Sequence, residues 1–600
     1  LPVHHRVARE DINKYMGTKP VVRVFLCFEL LSTHRELFYS PKASPRLPPE
    51  VMQVSRLMLA AAMTASRILS VVAQDSRNAD SVLEPADFNV AEALLKHGFD
   101  VSKIPQLNDV GKRSEIGCSA ACGSLKFIYG DAAVDTRNEE AYTTFVSSYW
   151  STNQAEVRPY CIFKPSRPEE VSVVVLLSRL TQCPFAAKSG GHAAMAGASS
   201  VEGGITISFM NMRGISLSTN NKVASIQPGN IWGDVFEELT KSDLTVIGGR
   251  LYNIGVGGLI TGGGISYFSN LYGWACDNVE SFDVVIASGA IIRVTATQFP
   301  DLYWALRGGG NNLGLVVSFN LLTYPLPGGK IWGGSRIYTE NSFPQIAEAY
   351  ANFIANAEED PKAGLWHVYA YYNGTKLSST TLYYSEPDGG NADIFSEWNA
   401  IVAVSDTTQN RVIAEYAREG MEPTPSGLRE IYAVISTKAN IEIVEFARDI
   451  YFEEVLAVAD VPGILPTLVT QGITVPMLKH MQKKGGNTLG LDVKEGPFYI
   501  VQIAIMWSNK EDDDAVYAFA STLLEKINAE AEARGTGNDY IYMNYAAQFQ
   551  DVVSGYGTEN KDRLKAIAKK YDPKKVFQKL QPGYFKLDGA PVSDPRYFNW

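Results

Sequence analysis

Gly248-Gly249-Arg250-Leu251-Tyr252-Asn253-Ile254-Gly255-Val256-Gly257-Gly258, followed after two residues by Thr261-Gly262-Gly263-Gly264-Ile265-Ser266, is the stretch on which the reading of this chain turns. Glycine at this density suits neither helix nor strand, because it loses the most conformational freedom on ordering and has no side chain to pack. It suits a main chain that wraps a phosphate-bearing cofactor, where backbone amides must come close to the ligand. A flexible Gly-rich loop is the alternative, but the flanks are β-branched rather than Ser- or Pro-rich, which favours the cofactor. The spacing is not that of a dinucleotide-binding βαβ turn: counted from Gly255, the sixth position is Ile260, and no acidic residue follows at the required distance.

Working outward, Lys188-Ser189-Gly190-Gly191-His192, with Ala196-Gly197 beyond it, repeats the theme. Two glycines clear the way for backbone amides or a planar ring and leave one imidazole at the end of the turn. A lone histidine is as readily a satisfied core residue as a nucleophile, and the surrounding motifs must decide. Downstream stand Tyr272-Gly273-Trp274-Ala275-Cys276-Asp277-Asn278-Val279 and Asp301-Leu302-Tyr303-Trp304-Ala305-Leu306-Arg307-Gly308-Gly309-Gly310, a short helix running into another Gly turn.

From about 154 to 327 the chain alternates short β-rich runs with helices. Strands are predicted at 185–188, 204–209, 222–227, 282–287 and 291–295, and helices at 231–241 and 301–306. Ser166-Arg167-Pro168-Glu169 reads as a capping box opening a helix that runs to Leu180. After Pro325-Leu326-Pro327-Gly328-Gly329 the character changes. Amphipathic helices (343–358, 441–459, 514–533) now alternate with strands (365–372, 376–384, 498–507), which predicts a second α+β unit. A last helix carries Leu564, Ile567, Ala568 and Tyr571 on one face and stops at Asp572-Pro573.

Net charge is −11, with no Lys/Arg-rich run, so nucleic acid is not an expected partner. No segment approaches the roughly 18 apolar residues of a membrane span. Residues 1–51 are assigned no fold. Met52 to Ala73, with a cationic head, an apolar run from Leu57 to Ala65 and small residues before Gln74, predicts a secretion signal, with Arg67 as its imperfection and a buried helix as the alternative. Four of the six cysteines, Cys118, Cys122, Cys161 and Cys183, lie close enough in sequence to pair in an oxidising compartment, in a connectivity the sequence leaves open. Cys118-x-x-x-Cys122 has no second pair or nearby His, so no metal site is expected. Asn373-Gly374-Thr375 is an acceptor triplet suited to a secreted glycoprotein.

Together and in this order, with Gln227-Pro228-Gly229, Trp232-Gly233, Tyr571-Asp572-Pro573 and Pro582-Gly583-Tyr584-Phe585, these stretches resemble the berberine bridge enzyme-like family within the wider vanillyl-alcohol oxidase-type flavoproteins. The match covers roughly 118–327 and 540–586. The resemblance implies an α+β fold of two domains, PCMH-type FAD-binding and α+β substrate-binding. Residues 1–114 would be an extension with the signal at 52–73, 115–327 the FAD domain, 328–540 the substrate domain, and 541–590 a segment completing the FAD domain.

It further implies that a ring nitrogen of His192 bonds the flavin 8α-methyl group. Relatives with a second bond carry a Cys where Leu251 stands, so a single attachment is expected, with Cys276 structural. Ser189, Gly190, Gly191, Gly197, Gly255, Val256, Gly257, Gly258, Gly262, Gly263, Asn278, Val279 and Asn544 would line the cofactor. Tyr542-Met543-Asn544-Tyr545 matches the segment that supplies the base, with Ala547 where an acid is common. Which tyrosine acts is open, as is a purely packing role for both. Either would need a neighbouring cation or strong hydrogen bonds, since a free phenol titrates near 10. The implied reaction is hydride removal from an alcohol or heteroatom-adjacent C–H of a small molecule, reoxidation by dioxygen, and peroxide release, in a secreted monomer. The alternative is a secreted flavin-binding module with little turnover.

Overall fold

The structure, a computed structural model, describes residues 82–107 and 117–592. The predicted signal at 52–73 and Cys27 lie outside them. The fold is α+β, with three sheets that divide along the chain.

The first sheet holds β1 (Val134–Thr136), β2 (Cys161–Phe163), β3 (Phe185–Lys188) and β4 (Ile205–Ser208) in the order β1-β2-β4-β3. Strands β2, β4 and β3 run parallel, which requires crossovers. Helix α1 (Gly117–Tyr129) and helix α2 (Pro168–Thr181) cover it, and together they form one apolar cluster. Two disulfides pin this layer: Cys118–Cys183 joins α1 to the entry of β3, and Cys122–Cys161 joins α1 to β2. Cys276 is the free cysteine among the described residues and is buried.

The α2 cap differs from the expected box. Pro168 takes the first helical position, so Arg167 becomes the N-cap and Glu170, not Glu169, stands three residues on. The Glu170 carboxylate accepts from Ser166 N at 2.7 Å and from Ser166 Oγ at 3.2 Å.

The second sheet is antiparallel: β5 (Ile215–Leu217), β6 (Val223–Ile226), β8 (Val279–Val285), β9 (Ile291–Thr295) and the long β10 (Leu315–Pro325), ordered β5-β6-β10-β8-β9, with β7 (Leu244–Val246) pairing the end of β10. Helix α3 (Trp232–Thr240) packs on it through Trp232, Val235, Phe236 and Leu239. The glycine-dense stretch resolves into a six-residue helix, α4 (Val256–Thr261), followed by irregular chain.

The third sheet has nine antiparallel strands. Its centre is β11 (Lys330–Thr339), β13 (Thr375–Tyr384), β12 (Ala363–Tyr372), β17 (Leu465–Ile473), β18 (Phe498–Trp507) and β16 (Arg429–Lys438), in that spatial order, with β14 (Ser405–Asp406), β15 (Gln409–Val412) and β19 (Gly537–Asn538) at its margins. Asn373 and Gly374, at φ 47° and 79°, make the two-residue turn between β12 and β13, the geometry Asn-Gly favours in hairpins.

One face of this sheet, including Ile431, Ala433 and Ile435 of β16, packs on α5 (Phe343–Ala355), α6 (Ile441–Glu454) and α7 (Asp513–Ala533). The other face presents Val434, Phe498 and Ile500 to the cluster that also holds the second sheet and α8 (Thr558–Tyr571). Leu564, Ile567, Ala568 and Tyr571 of α8 are buried there, and Tyr571 donates to Asp301 at 2.8 Å.

Candidate functional site

Ser189 follows β3 directly and carries the first contact of the site. Its Oγ donates to the Pro228 carbonyl at 2.6 Å and accepts from Gly257 N at 3.0 Å, joining the Ser189-to-His192 turn to the start of α4. The two glycine loops then touch backbone to backbone. A Cβ on Gly190 would sit 2.4 Å from Gly255 N, and one on Gly255 would sit 2.1 Å from Gly190 N. Only glycine at both positions permits this approach. Gly197 and Gly258, by contrast, face open space.

His192 leaves this turn with its ring stacked on Trp150, centroids 4.0 Å apart and planes at 14°. Its Nε2 is shielded from solvent and has no hydrogen-bond partner. Burial pushes the imidazole down to about 4, so the ring is neutral at ordinary pH with a lone pair no protein group uses. Trp150 belongs to a short run clipped on two sides. Ser151 Oγ donates to the Ala194 carbonyl at 2.8 Å, Thr152 N donates to Leu428 O at 2.8 Å, and Asn153 Nδ2 donates to Glu430 O at 2.8 Å.

From Trp150 a row of rings crosses to the predicted base segment. Tyr432 of β16 lies 5.6 Å from Trp150 and 6.1 Å from Tyr545, and Tyr545 meets Tyr542 edge-on at 4.7 Å. Gln550 fixes this register: it accepts from Ala547 N at 2.9 Å and brackets Val434 of β16 through both backbone groups.

The two tyrosines sit differently. Tyr542 is buried, and its Oη accepts from Gly264 N, Ile265 N and Asn544 Nδ2 at 3.2, 3.3 and 3.1 Å. Burial, then Tyr545, pushes its phenol up. Tyr545 is half-buried, and its Oη accepts from Arg250 Nη2 at 3.0 Å. Arg250 lies over the Trp366 ring at 4.4 Å and also donates to Gln471 at 2.6 Å. Burial works to lower its pKa, but neighbouring Tyr545, Tyr383 and Tyr267 hold it above the usual value.

Other sequence-predicted residues serve the frame. Asn278 spends its amide on the Tyr272 and Trp274 carbonyls and accepts from Tyr324, which leaves only its backbone for a ligand. Val279 is buried in β8, its carbonyl accepting from Tyr303. Val256 is buried in α4. A Cβ on Gly262 would strike Asn544 Oδ1 at 2.2 Å, so that pair holds the tyrosine segment against α4; Gly263 sits at φ 118° against Trp274 and Tyr542. Gly197 receives the C-terminal tail, with an added Cβ on Gly583 falling 1.9 Å from its carbonyl. Leu251 turns its Cδ2 towards Gly420, and the free Cys276 thiol, pushed up by burial, is buried behind the site. Trp150, Tyr432 and Glu430 went unread, being isolated in sequence, and Arg250 stood unassigned inside the glycine motif. Among the described residues there is no cluster of metal-ligating side chains and no helix long and apolar enough to cross a membrane.

The residues fit a flavin: two facing glycine loops, open space at Gly197 and Gly258, and a neutral imidazole with an unused nitrogen. The model for the FAD binding domain matches residues 159–295, and the model described as berberine and berberine like matches 541–582. The FAD-dependent monooxygenase drtC of Aspergillus calidoustus is 33% identical over 522 residues, covering 84% of this chain and 97% of that protein. Among solved structures, xylooligosaccharide oxidase from Myceliophthora thermophila C1 superposes with a TM-score of 0.64 at 20% identity, covering 80% of this chain and all of that one. Berberine bridge enzyme from Eschscholzia californica superposes with a TM-score of 0.63 at 17% identity, covering 78% and 99%. With its fold, its glycine cradle and these matches, the chain belongs to the berberine bridge enzyme-like family of FAD-dependent oxidoreductases.

Proposed function

We propose that this protein is an oxidase that removes hydride from an alcohol or heteroatom-adjacent C–H of a carbohydrate or secondary metabolite, with its flavin attached once, through His192, and Tyr545 as the base. The observation that carries the reading is the hydrogen bond from Arg250 to Tyr545. A phenol near 10 serves as a base near neutral pH where a cation or strong hydrogen bonds stabilise its anion, and a guanidinium is a cation at every relevant pH. Tyr545, held by Arg250, is placed to take the substrate hydroxyl proton as hydride departs. Tyr542, holding Gly264 and Ile265 through its oxygen, keeps the Gly-rich chain in place. Ser189 and the paired glycines bring backbone to the cofactor, and Trp150 orients the His192 ring.

The chemistry FAD supplies when bound is acceptance of the hydride, with dioxygen restoring the oxidised ring and leaving as hydrogen peroxide. Residues 115–327 and 541–590 hold the cofactor in this reading, and 328–540 supply the substrate face through β16, β18 and β12. The oxidase and monooxygenase names of the similar proteins support dioxygen as co-reactant. Two disulfides and the exposed Asn373 turn support passage through an oxidising, glycosylating compartment, and the protein acts as a monomer.

Stopped-flow reduction of the flavin-loaded protein by an alcohol found through peroxide release tests this. Y545F is expected to slow reduction by about 10²–10⁴-fold, the range of a general base. R250Q should slow reduction at neutral pH, and R250K should recover part of the rate. Reduction of Y545F at the wild-type rate contradicts the assignment.

A further inference from the structure

Glu430 carries a carboxyl that no protein group meets. It lies on β16, 1% exposed, and neither Oε1 nor Oε2 has a hydrogen-bond partner. Buried polar groups in folded proteins are almost always paired, and one left bare calls for a partner from outside the chain. Residues two apart on a strand share a face, so Glu430 projects with Tyr432 and Val434, opposite Ile431 and Ala433 in the helix-covered core. Tyr432 is the ring between Trp150 and Tyr545, and Glu430 is close enough to it to affect its phenol. The carboxyl therefore lies beside the middle ring of the aromatic row that links His192 to the base. Its backbone is held by Asn153, in the run that also carries Trp150.

We propose that the Glu430 side chain is the polar anchor of the substrate pocket, hydrogen-bonding a hydroxyl or carbonyl oxygen of a neutral, ring-bearing substrate at a point away from the reacting carbon. The inference rests on the site assigned above. Burial pushes this carboxyl well above the usual range, and no cation opposes the shift. Burial thus favours the protonated form, which has one O–H to donate and a carbonyl oxygen to accept. An ammonium ligand would instead pair with the ionised carboxylate, so it marks the opposite outcome from the neutral substrate proposed. Substrates lacking the oxygen leave a buried polar group unpaired, and sites of this kind reject such analogues strongly.

Three probes of similar shape test the anchor in the flavin-loaded protein at neutral pH: 2-phenylethanol, 2-phenylethylammonium and propylbenzene, titrated by tryptophan fluorescence. E430L is expected to weaken 2-phenylethanol about tenfold, the scale of one hydrogen bond, and to tighten propylbenzene, which no longer strands a buried carboxyl. E430Q, which keeps a donor and an acceptor, should stay within about threefold of wild type. The infrared band of a protonated carboxyl should be present in wild type and missing in E430Q. Equal 2-phenylethanol affinity in wild type and E430L overturns the proposal, leaving a carboxyl served by buried water alone. A wild-type preference for the ammonium probe that E430Q abolishes overturns it as well. Y545F separates the two readings, since it should slow flavin reduction by the alcohol found through peroxide release while leaving the ratio of 2-phenylethanol affinities with and without the E430L change as it is in wild type; fast reduction would sink the base and leave the anchor standing.

Discussion

His192 and His367 are both held far below the ordinary imidazole value by burial, His192 to about 4 and His367 to about 3. His367 bonds Thr380 Oγ1 through Nδ1 at 2.7 Å, and its Nε2 has no partner. In the unfolded chain each titrates near 6.5, so below that pH the unfolded state binds protons the folded state refuses. Stability from these two sites is therefore complete above about pH 6.5 and is lost as pH falls towards 4 and then 3. Thermal melts from pH 7 to 4 should show a falling midpoint, and H367F should flatten part of the slope; a midpoint independent of pH over this range contradicts the burial argument. Y542F should cost about 1–3 kcal/mol in denaturant unfolding, because it strands buried N–H groups at Gly264 and Ile265. At this scale the sequence carried His192, Tyr542 and Tyr545 through motifs with characteristic spacing. It did not carry Trp150, Tyr432 or Glu430, whose importance comes from a sheet face and a clipped loop that meet only in three dimensions.

The glycine loops act as elements rather than as single residues. Because Gly190 and Gly255 touch through backbone atoms, G190A or G255A forces main chain apart and should yield protein that retains little or no flavin, read from the ratio of flavin to protein absorbance. Wild-type flavin content in G255A would show that the contact is dispensable. Strand β9 and strand β18 fall on the predicted bounds, 291–295 and 498–507, because a turn or a clear change of composition brackets each. Strand β16 escaped notice because Arg429–Lys438 is buried almost throughout and lacks the alternation of a half-exposed strand. Helix α4 escaped because Val256–Thr261 has poor intrinsic helix propensity; tertiary contacts at Asn230 and Ser189 hold its first turn.

Across the whole molecule, the chain's last described stretch returns to its first sheets. Lys570 and Tyr571 bond Asp301, Phe577 meets Phe185 at 6.2 Å, and Gly583 packs on the Gly197 carbonyl. A chain ending at Tyr556 should therefore give no soluble yellow protein, and one that stays yellow would contradict the role of the return. Removing the Cys118–Cys183 bridge, which closes a loop of 65 residues, should cost about 2–4 kcal/mol in urea unfolding. The α+β division was legible in the change of pattern after Pro325, whereas the bridge connectivity was not, since spacing alone does not choose among pairings. The central claim is that one flavin is bonded to His192. The most direct measurement denatures the purified protein in acid and maps the flavin-bearing peptide by mass. Yellow colour retained in the precipitate, on the His192 peptide alone and lost in H192A, is the expected result; release of all flavin from wild type, or its attachment to another residue, would contradict the His192 bond.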